Sequence, residues 1–355
     1  MTEYDTLKHV VVGIESYENT KIVDTTLKHF FKDNIRDYYR DENFNSYHIS
    51  DKLLLERKQD IDNLCDVLID NNIKVTRPAQ CGRLKSVKTP HFSSVYYSNS
   101  NVRDLTLTLD DCIITAQTTV RSRYFENTDL NEILYDQFIK NDKKLISPPL
   151  ATLCDNKLDF IDWKIWSSRN DHVFDDRYEI LFDAANCIKV TDEDIMMNIG
   201  NQNHYNGYLW LTKVLPHKSI HPVHLCDNHI DGTILPLRHG VFLANTCYLD
   251  GDIKDYLPNK FKSWKIIEVN DRKLNPEIYD KTTLSGPQLA SYEGIDINVL
   301  SISPDTVIVQ DTATRVIDSL LKNGFNVIPI QFRHGTVFGG GIHCTTLDLE
   351  RVKNE

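Results

Sequence analysis

The sequence predicts an α/β protein built from one small repeated unit, arranged as a closed ring of small mixed sheets rather than a single doubly wound sheet. Three observations lead there. Stretches of helical periodicity alternate with stretches of period-2 alternation. Tight polar turns interrupt the alternating runs. Five such units succeed one another between residues 53 and 349, and self-similarity of this kind marks a repeat architecture.

Taken in order, the first unit opens on residues 53–72, where Ile61, Leu64, Cys65 and Leu68 fall at helical spacing. Asn71 and Asn72 end that helix, and Ile73, Lys74 and Val75 make a short strand. A loop holding Pro78 and Pro90 leads to Arg103 and Asp104. Leu105, Leu107 and Leu109 then alternate with threonines, Asp110 and Asp111 turn the chain, and residues 112–114 return. The next hairpins run from Asp183 through Ile188 to residues 195–197, and from His229 through Leu235, turning at His239 and Gly240 into Val241. Trp210, Leu211, Val214 and Leu215 predict a helix ahead of the His229 unit. A fourth hairpin pairs residues 298–300 with 307–309 across Ser303, Pro304 and Asp305. The last unit has Val316, Ile317, Leu320 and Leu321 on one helix face, Gly324 as a left-handed cap, a strand over 325–330, and His343 and Cys344 after a glycine run.

Composition narrows the function classes. Of 355 residues, 41% are hydrophobic, 26% charged and 10% aromatic, as in ordinary soluble domains. The length allows one large domain or two small ones. A net charge of -11 with no dense basic block argues against a nucleic-acid partner. No apolar stretch approaches a signal peptide or a membrane span, so a cytoplasmic protein with no membrane partner is expected. None of the eight cysteines forms a CxxC pair or a zinc spacing, so most should be plain core thiols. His221, His224 and His229 invite a metal reading, but no further ligands stand at suitable spacing, so no metal and no cofactor are expected.

In a ring, each hairpin start faces the central axis. The residues at those starts are Asp104, Asp183, His229 with Asp231, a position near residues 291–298, and Cys344. Turn chemistry alone accounts for Asp110, Asp111 and Asp305. The hairpin starts make a more specific set. A thiolate attacks electrophilic carbon, an imidazole shuttles protons, and a carboxylate fixes the imidazole. Two further carboxylates match the five donors of a planar guanidinium. His229 and Asp231 are two apart and would share a strand face, whereas His343, beside Cys344, would point away and be structural. Gly339, Gly340 and Gly341 permit unusual dihedrals and close backbone approach. A lowered thiol pKa would mark Cys344 as catalytic.

The run from Phe338 to Thr346, with its three glycines before Ile342, His343 and Cys344, resembles the GGGxHC nucleophile motif of the amidinotransferases. Phe182, Asp183, Ala184, Ala185 and Asn186 resemble their FDAA(D/N) motif, and His229, Ile230 and Asp231 their MHID motif. Arg103 and Asp104, then Ile113 and Ile114, then the RSRYFE run at 121–126 resemble their RD…II…RSRFFE block, and the opening from Glu3 to Gly13 is similar to their start. The motifs run in order over nearly the whole chain. The resemblance implies one domain over residues 1–355 with the pentein fold, a five-bladed α/β propeller. It implies Cys344 as nucleophile and carrier of an amidino thioether, His229 as the acid and then the base, Asp183 as its orienter, and Asp104 and Asp231 as guanidinium holders. A homodimer is expected from the resemblance alone.

Two positions depart from the family. Asn228 stands where the family has Met, and is expected to touch a different or bulkier amine. Tyr248 stands where glycine-specific members carry an arginine for the donor carboxylate, with Arg238 nearby in sequence. The expected reaction moves the amidino group of L-arginine to an amine acceptor and releases ornithine. The alternative is a hydrolase resembling arginine deiminase, giving citrulline and ammonia from the same intermediate. A non-catalytic binding protein and a cysteine protease fit the five-residue set less well.

Overall fold

A computed structural model describes residues 1–15, 19–30, 45–79, 86–96, 100–247, 249–269, 284–285 and 295–353. Five three-stranded sheets share one plan: an antiparallel hairpin, then a third strand parallel to the second. In the second sheet Thr106–Thr108 pairs with Cys112–Thr115, and Lys144–Ile146 joins in parallel. In the third, Cys187–Lys189 and Asp194–Asn198 are followed by Ser219–Val223. In the fourth, Ile234–Arg238 and Val241–Asn245 are followed by Lys265–Val269. In the fifth, Leu300–Ser303 and Thr306–Gln310 are followed by Asn326–Ile330. The first sheet draws on both ends of the sequence: Thr346–Val352 pairs with Thr6–Val12, and Lys74–Thr76 lies parallel beside it.

A parallel neighbour cannot be reached by a tight turn; it needs a crossover, usually a helix. Asp51–Asp70, Asn131–Asn141, Gln202–Val214, Ile253–Tyr256 and Thr314–Lys322 lie on those connections. This corrects the expected unit. Each helix and following strand complete the sheet of the preceding hairpin rather than open the next one. The helix expected around Trp210 and Leu215 is Gln202–Val214, and it belongs to the Asp183 hairpin.

Local signals explain the elements. Ser50 caps Asp51–Asp70 by accepting from the Leu53 backbone N–H, and the helix ends at Asn71, with Asn72 left-handed at φ 59°. Its inner face buries Leu53, Ile61, Leu64 and Leu68. Gly324, at φ 77°, follows Thr314–Lys322 as expected. Leu107, Thr106 and Thr108 are all buried, so the Leu/Thr alternation does not separate an inner from an outer face; apolar cores flank the sheet on both sides. The loop holding Pro78 and Pro90 carries an additional hairpin, Ser86–Lys88 with Ser93–Val95.

Apolar cores lie between successive sheets. Val11 and Leu347 of the first meet Ile113 of the second. Leu107 and Ile114 meet Ile195 and Met197 of the third. Ile188 and Met196 share a core with Phe242 of the fourth and Val307 and Val309 of the fifth. Leu300 and Ile308 of the fifth meet Val10 and Leu64 of the first. No helix among the described residues is long and apolar enough to cross a membrane.

Candidate active site

A short helical turn precedes each hairpin. They span residues 102–105, Ala184–Asn186, Ile230–Gly232, Ile295–Ile297 and residues 342–345. Each is anchored by buried apolar side chains: Val102 and Leu105, Ala184 and Ala185, Ile230, Ile297 and Ile342. With the apolar residues turned into the cores, the polar residues beside them gather in one place. Asp104, Asp183, Asp231, Asn298 and Cys344 are all buried, and His229 is nearly so. His229 and Asp231 therefore meet across a 3-10 turn, not along a strand face as the sequence suggested.

His229 Nε2 lies 2.9 Å from Asp183 Oδ2, and His229 Nδ1 lies 3.9 Å from Asp104 Oδ1. Burial disfavours the imidazolium, but Asp104 and then Asp183 more than offset this and raise its pKa to about 9. Arg123 Nη1 donates to Asp104 Oδ2 at 2.8 Å, while its other nitrogens fork onto Glu126. Asp104 Oδ1 is buried and accepts no hydrogen bond from any described residue, whereas the Asp183 carboxylate is also held by the Thr118 side chain. Burial raises the Asp104 carboxyl despite Arg123 and His229.

Cys344 Sγ donates to Asp231 Oδ2 at 3.3 Å, and Asn298 Nδ2 donates to the sulfur at 3.2 Å. Asn298 Oδ1 also accepts the Cys344 backbone N–H at 2.9 Å, so one side chain grips the nucleophile turn twice. Burial, then Asp231 and Asp104, push the thiol well above its ordinary value. That is opposite to the expected lowering, because burial disfavours the thiolate and the acids beside the sulfur repel a second negative charge. The glycine run fits tightly. Gly339 has φ 69°, and a Cβ on Gly341 would lie 2.8 Å from Asn298.

His343 is not turned away. It lies in the 342–345 turn rather than on a strand, and its Nδ1 sits 2.7 Å from Asp231 Oδ2. Sequence reasoning assigned no site role to Asn298 or Arg123 and read His343 as structural. All three fell inside stretches singled out for other reasons, namely residues 291–298, the RSRYFE run and the glycine run.

The loop before His229 is held from the third sheet. Asn198 Nδ2 donates to the carbonyls of Cys226 and Asn228, each at 2.8 Å, and Asn186 Nδ2 donates to that of Asn228 at 2.8 Å. Gly200 lets this loop come close, since a Cβ there would lie 2.1 Å from the Asp227 carbonyl oxygen. Asn228 donates to the Phe30 carbonyl at 3.0 Å and lines a pocket with His29, Phe30, Phe160, Trp163 and Asn201. Phe30 meets the His229 ring edge-on at 5.1 Å, whereas Cys344 is not part of this pocket's wall. Tyr248 lies outside the described residues, as does Cys81. Arg238 donates to the Asn323 carbonyl and stacks over Phe325. His221 bonds Asp194 and His224 bonds the Ile199 carbonyl, and no group of three or more His, Cys, Asp or Glu among the described residues is placed to hold a metal ion.

No family model matches the chain. It is 27% identical over 358 residues to inosamine-phosphate amidinotransferase 1 of Streptomyces griseus, covering 99% of this chain and 96% of the relative. It is 25% identical over 369 residues to L-arginine:L-lysine amidinotransferase of Pseudomonas savastanoi pv. phaseolicola, covering 99% and 93%. The solved Streptomyces griseus inosamine-phosphate amidinotransferase superposes with a TM-score of 0.84 at 26% identity, over 99% of this chain and 96% of that one. A dimethylarginine dimethylaminohydrolase superposes with a TM-score of 0.57 at 14% identity, over 96% and 99%, a likeness of fold alone.

Proposed function

We propose, from a chain homologous to the amidinotransferases from end to end, that the protein moves the amidino group of L-arginine to an amine acceptor through a covalent intermediate on Cys344. The observation that carries this reading is the orphaned carboxylate oxygen Asp104 Oδ1, buried beside His229 within the cluster that also holds Asp183, Asp231 and Cys344. A buried acceptor with no donor suits a ligand rich in N–H, and a guanidinium is a planar cation with five. The same proposal includes one domain over residues 1–355 and a five-bladed propeller. The shared sheet plan and the apolar cores between successive sheets, including fifth to first, support it.

The residues divide the work as follows. Asp104 and Asp231 hold the guanidinium with its central carbon facing Cys344. A cation there offsets the acids that keep the thiol protonated, so donor binding and thiol ionisation are coupled. The thiolate attacks the central carbon. His229, carrying its proton at neutral pH, gives it to the leaving nitrogen, and the carbon–nitrogen bond breaks to release ornithine. The amidino group remains as a thioether. His229, now neutral, takes a proton from the acceptor amine as that amine attacks, and the thiolate leaves. Asp183 orients the ring throughout. Asn228, on the wall of the pocket that reaches His229 through Phe30, contacts the acceptor.

Arginine is to be offered with a panel of amines — glycine, lysine, ornithine, diamines, amino sugars and hydroxylamine — while ornithine and citrulline are followed by mass spectrometry. Acceptor-dependent ornithine that disappears in Cys344→Ala is the expected result. Citrulline formed regardless of amine would replace transfer by hydrolysis.

A further inference from the structure

We infer that His343 is a positioning residue that sets the charge and aim of Asp231, and that it is held in that role from behind by Glu3. This rests on the reading of Asp231 as a guanidinium holder. The geometry is a chain of buried groups. Asp231 Oδ2 takes two contacts, the Cys344 thiol at 3.3 Å and His343 Nδ1 at 2.7 Å. The other ring nitrogen, His343 Nε2, lies at ion-pair distance from Glu3 Oε2, 3.5 Å, outside hydrogen-bond geometry. Glu3 is itself fixed, by Arg103 Nη1 at 3.1 Å and by the Lys189 backbone N–H at 3.1 Å. Arg103 also locks the turn, donating from Nε to the His343 carbonyl at 2.9 Å and from its backbone to the Cys344 carbonyl at 3.3 Å. His343, Glu3, Arg103 and Asp231 are all buried, so the imidazole has no freedom to serve solvent.

Placed between two carboxylates, the ring has one of them on each nitrogen. With Nδ1 donating to Asp231, that carboxylate stays ionised and its Oδ2 is pinned toward the sulfur, leaving the rest of the group for a cation. Burial alone would raise the Asp231 carboxyl. The bond and attraction of His343, then His229, bring it down to about 2. The other groups facing Asp231 are Cys344 from the nucleophile turn, Arg103 and Asp104 from the turn at 102–105, and Cys226 from the loop before His229. Of these, only His343 and the Cys344 thiol hydrogen-bond the carboxylate, and only His343 does so from a base.

The test uses alkylation of Cys344 by two isosteric reagents, the cation chloroacetamidine and neutral chloroacetamide, followed by mass spectrometry across pH. The ratio of the two rates reads the acids that hold a cation, independently of turnover. The native protein should prefer the cation. In His343→Leu the preference should fall by about 10- to 150-fold, the range for a lost hydrogen bond to a charged group, with the loss starting at acid pH as Asp231 takes a proton. The chloroacetamide rate serves as the control for gross damage. His343→Asn, which returns an N–H near Nδ1, should keep most of the preference. His343→Gln, whose amide reaches the Nε2 position, should not, and this pair decides the matter even if His343→Leu does not fold. Full preference retained in both His343→Leu and His343→Gln would overturn the role of His343 alone. No preference in the native protein would overturn it together with the guanidinium reading.

Discussion

Two buried ionic clusters sit side by side in this protein, and they are built to opposite rules. In one, Glu3 and Asp348 meet Arg103, Lys189 and Arg351, and all four carboxylate oxygens accept bonds. Both acids are held well below their ordinary values, Glu3 chiefly by Lys189 and Asp348 chiefly by Arg103 against the cost of burial. In the other, Asp104, Asp183, Asp231 and Glu126 are paired with Arg123, His229 and His343, with Arg103 acting on Asp231 from the neighbouring cluster, and Asp104 Oδ1 has no donor among the described residues. In the first cluster every acid oxygen is paired, with Arg351 Nη2 a donor left over, and it joins Thr346–Val352 of the first sheet to the second and third sheets. The second has acid to spare beside a thiol. A fold retains unpaired buried acceptors at a cost of about 1–3 kcal/mol each, so the contrast separates a structural joint from a binding site more sharply than burial does, since both clusters are equally buried.

The comparison breaks most decisively at Cys344. If the acid-rich cluster is a site, Cys344→Ala abolishes ornithine formation, by on the order of 10⁴-fold or more, with thermal unfolding little changed. Residual turnover would place the chemistry elsewhere. Next comes Asp183→Asn, which keeps the shape but removes the charge on His229 Nε2. Turnover should fall by about 10²- to 10⁴-fold. Catalysis needs His229 protonated, so kcat/KM is lost as pH rises through its pKa of about 9, a value reached because Asp104 and Asp183 outweigh burial. Without the Asp183 charge that limb should move down toward the ordinary 6.5. A pH–rate profile with an unmoved basic limb would remove His229 as the acid.

The complete cluster predicts a loss of another kind. Asp348→Asn leaves Arg103, Lys189 and Arg351 without their shared acid, and should cost about 3–5 kcal/mol in denaturant unfolding. The folded fraction should keep its kcat, unlike the site variants. The sign with pH follows from the depressed carboxyls. Their contribution is present above the ordinary values of 4.5 for Glu3 and 3.8 for Asp348, and is lost as pH falls below them. Native stability should therefore decline in acid below about pH 4.5, and the Asp348→Asn curve should be flatter there. A parallel curve would mean the pairing contributes nothing net.

The same contrast explains what the sequence revealed. Hairpins were legible because turn residues and apolar alternation are local, as at His239 and Gly240 or at residues 303–305. The sheet plan was not, because parallel pairing of Ser219–Val223 with Asp194–Asn198 depends on a crossover that no local pattern marks. Asp104, Asp183, His229, Asp231 and Cys344 were legible as an ordered set of reactive types. Asn298 was not, because its role lies in two bonds to a residue 46 positions away. His343 was misjudged through a strand assumption, since a turn at 342–345 lets adjacent side chains reach the same carboxylate. The buried joint of Glu3, Arg103, Lys189 and Asp348 is equally non-local, and Glu3 and Arg103 were visible only as motif letters with no partner assigned.

The smallest expected effect tests the outer edge of the acid-rich site. Asn228 contributes one neutral hydrogen bond, to the Phe30 carbonyl at 3.0 Å, and its own carbonyl is held by Asn186 and Asn198. The backbone of the loop is therefore fixed independently of its side chain, and Asn228→Met should fold normally. A single neutral hydrogen bond is worth about 0.5–1.5 kcal/mol, so the change should appear as a roughly 2- to 10-fold shift in KM for the acceptor. It should leave the rate of Cys344 modification by arginine alone unchanged, because Asp104 lies on another turn and Asp231 is held by His343. If both half-reactions move together, Asn228 acts on His229 through Phe30 and the loop rather than on the acceptor. If only the acceptor step moves, the boundary between the charged site and the neutral pocket beside it is also the boundary between donor and acceptor.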